Sequence, residues 1–203
     1  MRHVMLDLET WGTEPGCDIR SIGAVVFHPD NGTIDRKNAF YVNVENPTIP
    51  GEFYPNEKPV RKYPFHRDTN TEKWWSEQSE EAREAFTNPV DLFDGLHEFA
   101  EWYLKIGPSE DVTLWCNGPH FDESILKHVY KQIRGSNRRD WHIVAPQGVP
   151  WHYRAPRDFR TEMEGAGWPY VEFMGTAHNA LDDAIHQARC VIRARQIRPA
   201  VVT

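Results

Sequence analysis

The chain has 203 residues, of which 39% are hydrophobic, 12% are aromatic and 26% are charged, and its formal net charge is −7. This length is typical of one domain, and this composition excludes a chain that is disordered throughout or collagen-like. The acidic balance also argues against a protein that coats nucleic acid by charge alone.

Membrane-span, signal-peptide and cysteine patterns further narrow the class of protein that this sequence can encode. The sequence has no run of about 18 apolar residues, and its N-terminal segment lacks the features of a secretory signal peptide. The cysteines, Cys17, Cys116 and Cys190, are far apart and form no CxxC pair, so the sequence predicts neither a disulfide framework nor a structural zinc site. We therefore expect a cytoplasmic protein that does not insert into a membrane.

Three predicted strands open the chain. Apolar runs at Val4–Leu8 and Ser21–Phe27 indicate two buried strands, and Asn38–Val44 indicates a third. A cluster of turn-forming residues at 29–32 separates the second strand from the third. This order predicts an antiparallel three-strand meander.

Helices are predicted to follow the meander. Residues Pro47–Asn70 are rich in proline and charge and indicate a long surface loop. Good helix formers fill Thr71–Phe86, which predicts one helix. Apolar residues at helical spacing predict a second helix between Leu92 and Tyr103, with Asn88 or Asp91 as its N-cap.

The second half of the chain alternates strand and helix. Val112–Cys116 indicates a strand, and Asp122–Ile133 indicates the helix after it. A short helix over Asp158–Gly165 and a closing helix over Leu181–Ile192 complete the prediction. We expect residues 1–203 to form a single α/β domain, with a mixed central sheet that contains the meander and with helices on both faces.

Acidic residues in the first strand suggest a metal site. Asp7 and Glu9 are two residues apart, so the period of a strand places both carboxylates on one face. Like charges crowded on an apolar strand are unfavourable unless a cation compensates them, which favours a shared metal ion. The alternative is a solvated strand edge where the pair is simply exposed.

Other acids lie where predicted elements begin. Asp122 follows the Val112–Cys116 strand at the start of a helix, where ligand sites of α/β folds collect, although it could be an ordinary N-cap. Asp183 lies in the first turn of the last helix, five residues after His178. Asp182 beside it is interpreted as an acid that favours the helix dipole.

Taken in order, these residues resemble the three motifs of the DEDDh family, the RNase T-like or DnaQ-like 3′-to-5′ exonucleases. The motifs are Asp7-Leu8-Glu9-Thr10, then Asn117 through Phe121-Asp122, then His178 through Asp183. The resemblance spans residues 4 to about 192. It implies an RNase H-like, RNase T-like fold.

A second resemblance concerns the branch within this family. Thr71, Trp74, Trp75 and Gln78, together with the block Arg157-Asp158-Phe159-Arg160-Thr161, resemble the branch that contains the ribonuclease RNase AS and phage exodeoxyribonucleases. That branch includes enzymes acting on RNA and enzymes acting on DNA. The resemblance therefore leaves the substrate sugar open.

The family resemblance implies two divalent ions, and carboxylate ligands suit Mg²⁺ or Mn²⁺. The ions would clamp a phosphodiester from about 4 Å apart. By resemblance, Asp7 would bridge both ions, Glu9 and Asp183 would complete the first, and Asp122 would hold the second. His178 would be the general base, and we expect the neighbouring acids to raise its pKa somewhat.

Candidate substrate contacts surround these motifs, namely Thr10, Trp11, Asn117, Arg157 and Arg160. Trp11 could stack on the terminal base or pack as an ordinary core aromatic. From Lys127 to Arg160 the chain carries eight basic residues and two aspartates. Aromatic residues interleave with these charges, namely Tyr130, Trp141, Trp151, Tyr153 and Phe159. The pattern is that of a strand-binding groove, and a solvated basic face is its alternative.

The sequence thus predicts a metal-dependent 3′-to-5′ exonuclease that acts on single-stranded nucleic acid or on 3′ overhangs. Two alternatives are a binding module that kept the fold and lost catalysis, and a phosphodiesterase of small nucleotides. Trp74 and Trp75 are interpreted either as a homodimer contact or as buried core.

Overall fold

The computed structural model describes residues 2–49, 60–134 and 148–197. Its strands are β1 (Arg2–Thr10), β2 (Ile19–His28), β3 (Thr33–Glu45), β4 (Thr48–Ile49), β5 (Val60–Arg61), β6 (Val90–Asp91), β7 (Val112–Cys116) and β8 (Pro156–Asp158). Its α-helices are α1 (Thr69–Ser76), α2 (Glu80–Glu84), α3 (Leu92–Ile106), α4 (Asp122–Arg134), α5 (Phe159–Gly165) and α6 (Ala180–Ile197).

Six strands form one mixed sheet in the order β6, β3, β2, β1, β7 and β8, whereas β4 and β5 pair separately. The antiparallel pairs of β1 with β2 and of β2 with β3 confirm the predicted meander. Strand β7 joins β1 in parallel, β8 joins β7 in parallel, and β6 joins β3 in parallel. The carboxyl ends of β1 and β7 therefore meet at one edge of the sheet.

Helices cover both faces of the sheet, and β1 contributes side chains to the apolar cluster on each face. Leu6 and Leu8 belong to the apolar cluster that includes α3 and α4, whereas Met5 belongs to the cluster that includes α5 and α6. Asp7 and Glu9 follow Met5 at the two-residue period of a strand. Both carboxylates therefore lie on the sheet face that α6 covers.

The capping of α3 decides between the two predicted N-caps. The Asp91 carboxylate accepts a hydrogen bond from the backbone N–H of Phe93, at 2.9 Å. Asn88 lies three residues earlier, in the left-handed backbone region with a φ of 46°. Asp91 is therefore the cap, because its side chain bonds one of the unpaired N–H groups that begin the helix.

The predicted single helix over Thr71–Phe86 is wrong. Helix α1 ends at Ser76, and α2 begins at Glu80 with the Ser79 hydroxyl accepting from the N–H of Ala82. Arg20 of β2 donates to the carbonyl oxygens of Ala82 and Arg83, at 3.2 Å each. A long-range contact that local propensity cannot reveal thus ends α2 against the sheet.

The predicted loop at Pro47–Asn70 is also partly wrong. Strands β4 and β5 pair within it, and α1 begins at Thr69. Residues 50–59 lie outside the described part of the chain.

A close approach at Gly23 positions α6 against β1. Gly23 of β2 pairs with Asp7. A Cβ atom at position 23 would lie 2.2 Å from the carbonyl carbon of Ala180 and 2.3 Å from the nitrogen of Leu181. Glycine is therefore needed here, and it lets the first turn of α6, which contains Asp183, lie beside β1.

Gly23→Ala is accordingly expected to lower the free energy of unfolding by about 1–3 kcal/mol, because the added methyl group displaces the start of α6. Urea denaturation measures this loss. Gly118→Ala is the matched control, since no described atom other than those of its chain neighbours lies within 4 Å of a Cβ atom built there. Wild-type stability in Gly23→Ala would contradict the close approach.

Candidate metal and catalytic site

A cavity of about 330 Å³ lies at the edge of the sheet where β1 and β7 end. This edge is where ligands bind in open α/β sheets. The cavity is lined by all five predicted motif residues, which are Asp7, Glu9, Asp122, His178 and Asp183. The fold therefore brings together side chains from β1, from the start of α4 and from the start of α6.

Strand β1 helps to hold the Asp122 carboxylate in place. Its Oδ1 accepts a hydrogen bond from the backbone N–H of Leu8, at 3.1 Å. Its Oδ2 is buried and has no hydrogen-bond partner among the described residues. A buried, unpaired carboxylate oxygen is costly, so this atom is available to a cation.

His178 and Asp183 are fixed to each other through the backbone. The N–H of His178 donates to Oδ2 of Asp183 at 2.9 Å, and His178 has a φ of 64°. Left-handed backbone is uncommon for residues other than glycine and is often found at functional sites. Glu9, His178 and Asp183 each offer a ligand atom, and these three atoms lie within 4.8 Å of one another.

Burial raises the pKa of all four carboxyl groups. The pKa of Glu9 rises to about 8, that of Asp122 to about 7 and that of Asp183 to about 6. The pKa of Asp7 lies well above its ordinary value because it is buried and because the other three acids add their charges. The cluster therefore resists carrying four negative charges at neutral pH unless a cation compensates them.

The expectation that these acids raise the pKa of His178 is wrong in direction. Burial lowers the pKa of His178, because the charged imidazolium loses hydration. The Trp74 ring meets the His178 ring edge to face, with centroids 4.9 Å apart. The packed tryptophan thus helps to keep the imidazole neutral and able to accept a proton.

The donor set fits hard divalent cations. Carboxylate oxygens and one imidazole surround the cavity, and none of the described cysteines lines it. Such oxygen-rich sites suit Mg²⁺ or Mn²⁺ better than softer metals. The unpaired Oδ2 of Asp122 and the raised carboxyl pKa values agree with a cation in this position.

The raised pKa of Glu9 predicts how the ion-free protein responds to pH. The folded chain keeps this proton up to a pH of about 8, whereas the ordinary value is 4.5, so unfolding free energy is lost as pH rises through this window. Glutamine at position 9 carries no titrating carboxyl group, so Glu9→Gln should not lose unfolding free energy in this way. In EDTA we expect its melting temperature to exceed the wild-type value by about 5 °C or more at pH 8.

The advantage of Glu9→Gln should shrink toward pH 5, where the folded wild-type protein holds the Glu9 proton. Excess Mn²⁺ at pH 8 should raise the wild-type melting temperature more than that of the variant, because the ion binds the ionised carboxylate. Thermal denaturation at both pH values measures these differences. An offset that is the same at pH 5 and pH 8 would contradict the raised pKa.

A second cavity of about 400 Å³ adjoins the first and shares Leu8, Glu9 and Phe121 with it. Trp74 and Trp75 of α1 form much of its wall. Trp75 is buried, and its indole N–H donates to the carbonyl oxygen of Thr10 at 2.8 Å. Sequence reasoning missed this role of the tryptophan pair, although the helical segment that carries it was recognised.

Thr10 lines the second cavity, whereas Trp11 does not. The Trp11 ring packs against Trp75 and Phe86, and the Arg67 guanidinium lies 4.3 Å from its centroid. The pairing of β1 with β2 shifts register between Glu9 and Thr10. The extra residue of this irregularity is Arg20 of β2, and β1 itself ends at Thr10, so the alternation of the strand does not extend to Trp11.

The remaining predicted contacts separate into two groups. Asn117 and Arg160 line the first cavity, and Nε of Arg160 donates to Oδ1 of Asn117 at 3.3 Å. Arg157 does not line it. Its Nη1 instead donates to the carbonyl oxygens of Arg154 and Pro156, at 2.7 and 2.9 Å.

The predicted basic and aromatic groove is only partly supported. Tyr130 and Trp151 are buried in the apolar core, so they are unavailable to a nucleic acid strand. Tyr153 is 67% exposed. Arg138, Arg139 and Trp141 lie outside the described residues.

Comparison with known proteins identifies the family. A family model described as the 3′-5′ exoribonuclease Rv2179c-like domain matches residues 2–194. The chain belongs to this family. A search of curated proteins finds no match. Membership in an exoribonuclease family, together with structural similarity to exonucleases, supports 3′-to-5′ nuclease activity for this chain.

Solved structures share the fold at low sequence identity. The nuclease domain of 3′hExo, a DEDDh family member bound to rAMP, has a TM-score of 0.52 and 15% identity, covering 96% of this chain and 92% of that chain. Cell-death related nuclease 4 (CRN-4) has a TM-score of 0.52 and 16% identity, covering 97% of this chain and 64% of its own. Pop2p of S. pombe, in its Mg²⁺ and Mn²⁺ bound form, has a TM-score of 0.51 and 12% identity, and the match covers 96% of this chain and 83% of Pop2p.

These similarities confirm the predicted α/β fold of RNase H-like exonucleases with a mixed central sheet. The resemblance to 3′-to-5′ exonucleases is confirmed by the exoribonuclease family model and by the fold that the chain shares with a DEDDh family member. The branch with RNase AS and the phage enzymes stays a prediction. Within the described ranges, no helix combines the length and apolarity needed to cross a membrane.

Proposed function

We propose that this chain is a metal-dependent exonuclease that removes nucleotides from the 3′ end of single-stranded RNA. The observation that carries the proposal is the convergence of four acids, from β1, α4 and α6, with His178 around one cavity. The family description, a 3′-5′ exoribonuclease domain, supports the direction and the sugar.

The four carboxylates would hold two Mg²⁺ or Mn²⁺ ions. Asp7 would hold these ions together with the other three acids, since its charge interacts with all of theirs. Glu9 and Asp183, whose oxygens lie close together, would hold one ion, and the unpaired Oδ2 of Asp122 would face the other. When bound, such ions supply positive charge to a phosphodiester and lower the pKa of water.

His178 would act as the general base that accepts the proton of the attacking water. Its lowered pKa leaves the imidazole neutral at pH 7, which is the form that accepts a proton. The hydrogen bond from its backbone to Asp183 and the edge of Trp74 hold the ring beside the acids.

The second cavity would receive the 3′-terminal nucleotide. Its volume of about 400 Å³ and its tryptophan wall suit a base that stacks on Trp74, which is 39% exposed. Arg160, beside Asn117 in the first cavity, would contact the phosphate. We assign Trp74 and Trp75 to this wall rather than to a homodimer contact.

The test uses 5′-labelled single-stranded oligonucleotides as matched RNA and DNA, each with Mg²⁺, Mn²⁺ or EDTA. We expect a ladder that shortens from the 3′ end, faster on RNA, and abolished by EDTA. Cleavage inside the strand, or a ladder that persists in EDTA, would overturn the proposal. Binding without cleavage would favour a catalytically silent module, and hydrolysis of dinucleotides alone would favour a small-nucleotide phosphodiesterase.

A further inference from the structure

Gln187 lies one helical turn after Asp183 on α6 and lines the same cavity. Its side-chain amide donates a hydrogen bond from Nε2 to Oδ1 of Asp7, at 2.7 Å. Both residues are buried, with 6% of Gln187 and 8% of Asp7 exposed. The motifs recognised in the sequence do not include Gln187.

The other end of the Gln187 amide is unsatisfied. Its Oε1 is buried and has no hydrogen-bond partner among the described residues. A buried, unpaired amide oxygen opposes folding, whereas a leucine of similar size would remove that oxygen but leave Oδ1 of Asp7 without its donor. Packing alone therefore does not account for glutamine here.

A neutral donor is chemically suited to Asp7. A lysine or arginine could also hold the carboxylate, but its positive charge would neutralise Asp7 and repel a divalent cation. The Gln187 amide fixes one oxygen of the carboxylate and leaves its negative charge intact. Hydrogen bonds that orient a ligand carboxylate in this way commonly control metal affinity.

We propose that Gln187 is a positioning residue that orients the Asp7 carboxylate for binding divalent ions. This role rests on the proposed function, because it requires Asp7 to be an ion ligand. It assigns to α6 a second contribution to the site, one turn beyond Asp183.

Gln187→Leu tests the role by direct Mn²⁺ titration in a calorimeter. We expect Mn²⁺ affinity to fall about 10- to 100-fold, the usual effect of removing a group that orients a ligand. The melting temperature in EDTA should stay near the wild-type value, because the variant loses the unpaired oxygen of Gln187 and also the hydrogen bond to Asp7. The rate of RNA hydrolysis should recover as Mn²⁺ is raised.

Gln196→Leu is the matched control, since it makes the same change at an exposed position of the same helix. We expect wild-type affinity and stability in this variant. Gln187→Met, which keeps the length of the side chain and removes the amide, is the second variant should Gln187→Leu fold poorly, and its Mn²⁺ affinity should fall to a similar extent.

Wild-type Mn²⁺ affinity in a folded Gln187 variant would overturn the role of Gln187 and leave the proposed function standing. A wild-type protein that binds no Mn²⁺ and cleaves no RNA would overturn both. The two failures are therefore distinguishable.

Discussion

Asp7→Asn is expected to lower the rate of RNA hydrolysis by more than about 10³-fold while it stabilises the ion-free protein. The substitution keeps the shape of the side chain and removes the charge that interacts with all three other acids of the cluster. Without that charge the site loses affinity for cations, and the folded chain loses a source of repulsion between buried carboxylates. Activity and stability should therefore change in opposite directions.

Two measurements check this prediction, namely kcat/KM on single-stranded RNA in Mn²⁺ and the melting temperature in EDTA. Asp94→Asn, at an exposed acid on α3, is the control and should leave both values near wild type. Retained metal-dependent hydrolysis in Asp7→Asn would contradict the placement of Asp7 at the centre of the cation site.

Substitution of His178 is expected to lower the rate by about 10²- to 10⁴-fold, the usual contribution of a general base. The choice of variant matters because His178 has a φ of 64°. Asparagine tolerates this left-handed backbone better than alanine does. His178→Asn should therefore remove the base with little loss of stability, whereas His178→Ala should lose both rate and stability.

Single-turnover hydrolysis of RNA, followed at saturating Mn²⁺, measures the chemical step in both variants. Calorimetric titration should show that Mn²⁺ still binds, because the four carboxylates are unchanged. Turnover near the wild-type rate in His178→Asn would remove His178 from the role of base.

The strands that carry the site could be predicted because their signals are local. Apolar runs bounded by turn formers located β1, β2 and β7, and the two-residue period put Asp7 and Glu9 on one face. Asp122 and His178 were found from their order along the chain. The structure brings these residues to one cavity because β1 and β7 are parallel neighbours and α6 packs across β1.

Features that depend on contacts distant in sequence could not be predicted. Arg20, about 60 residues earlier in the chain, bonds carbonyl oxygens at the end of α2 and holds that helix against the sheet. Strand β1 ends at Thr10, and the Trp11 ring that follows packs against Trp75, a residue of α1. Nothing local in the sequence distinguishes Gln187 from other polar residues of the last helix, because its role depends on a 2.7 Å hydrogen bond to Asp7.

The measurement that tests the central claim most directly is anomalous diffraction at the manganese edge from crystals soaked in Mn²⁺ with a 3′-terminal mononucleotide. We expect two manganese peaks about 4 Å apart, both beside the Asp7 carboxylate, with the base against Trp74. Manganese bound elsewhere, or an active enzyme whose acid cluster holds no ion, would contradict this expectation.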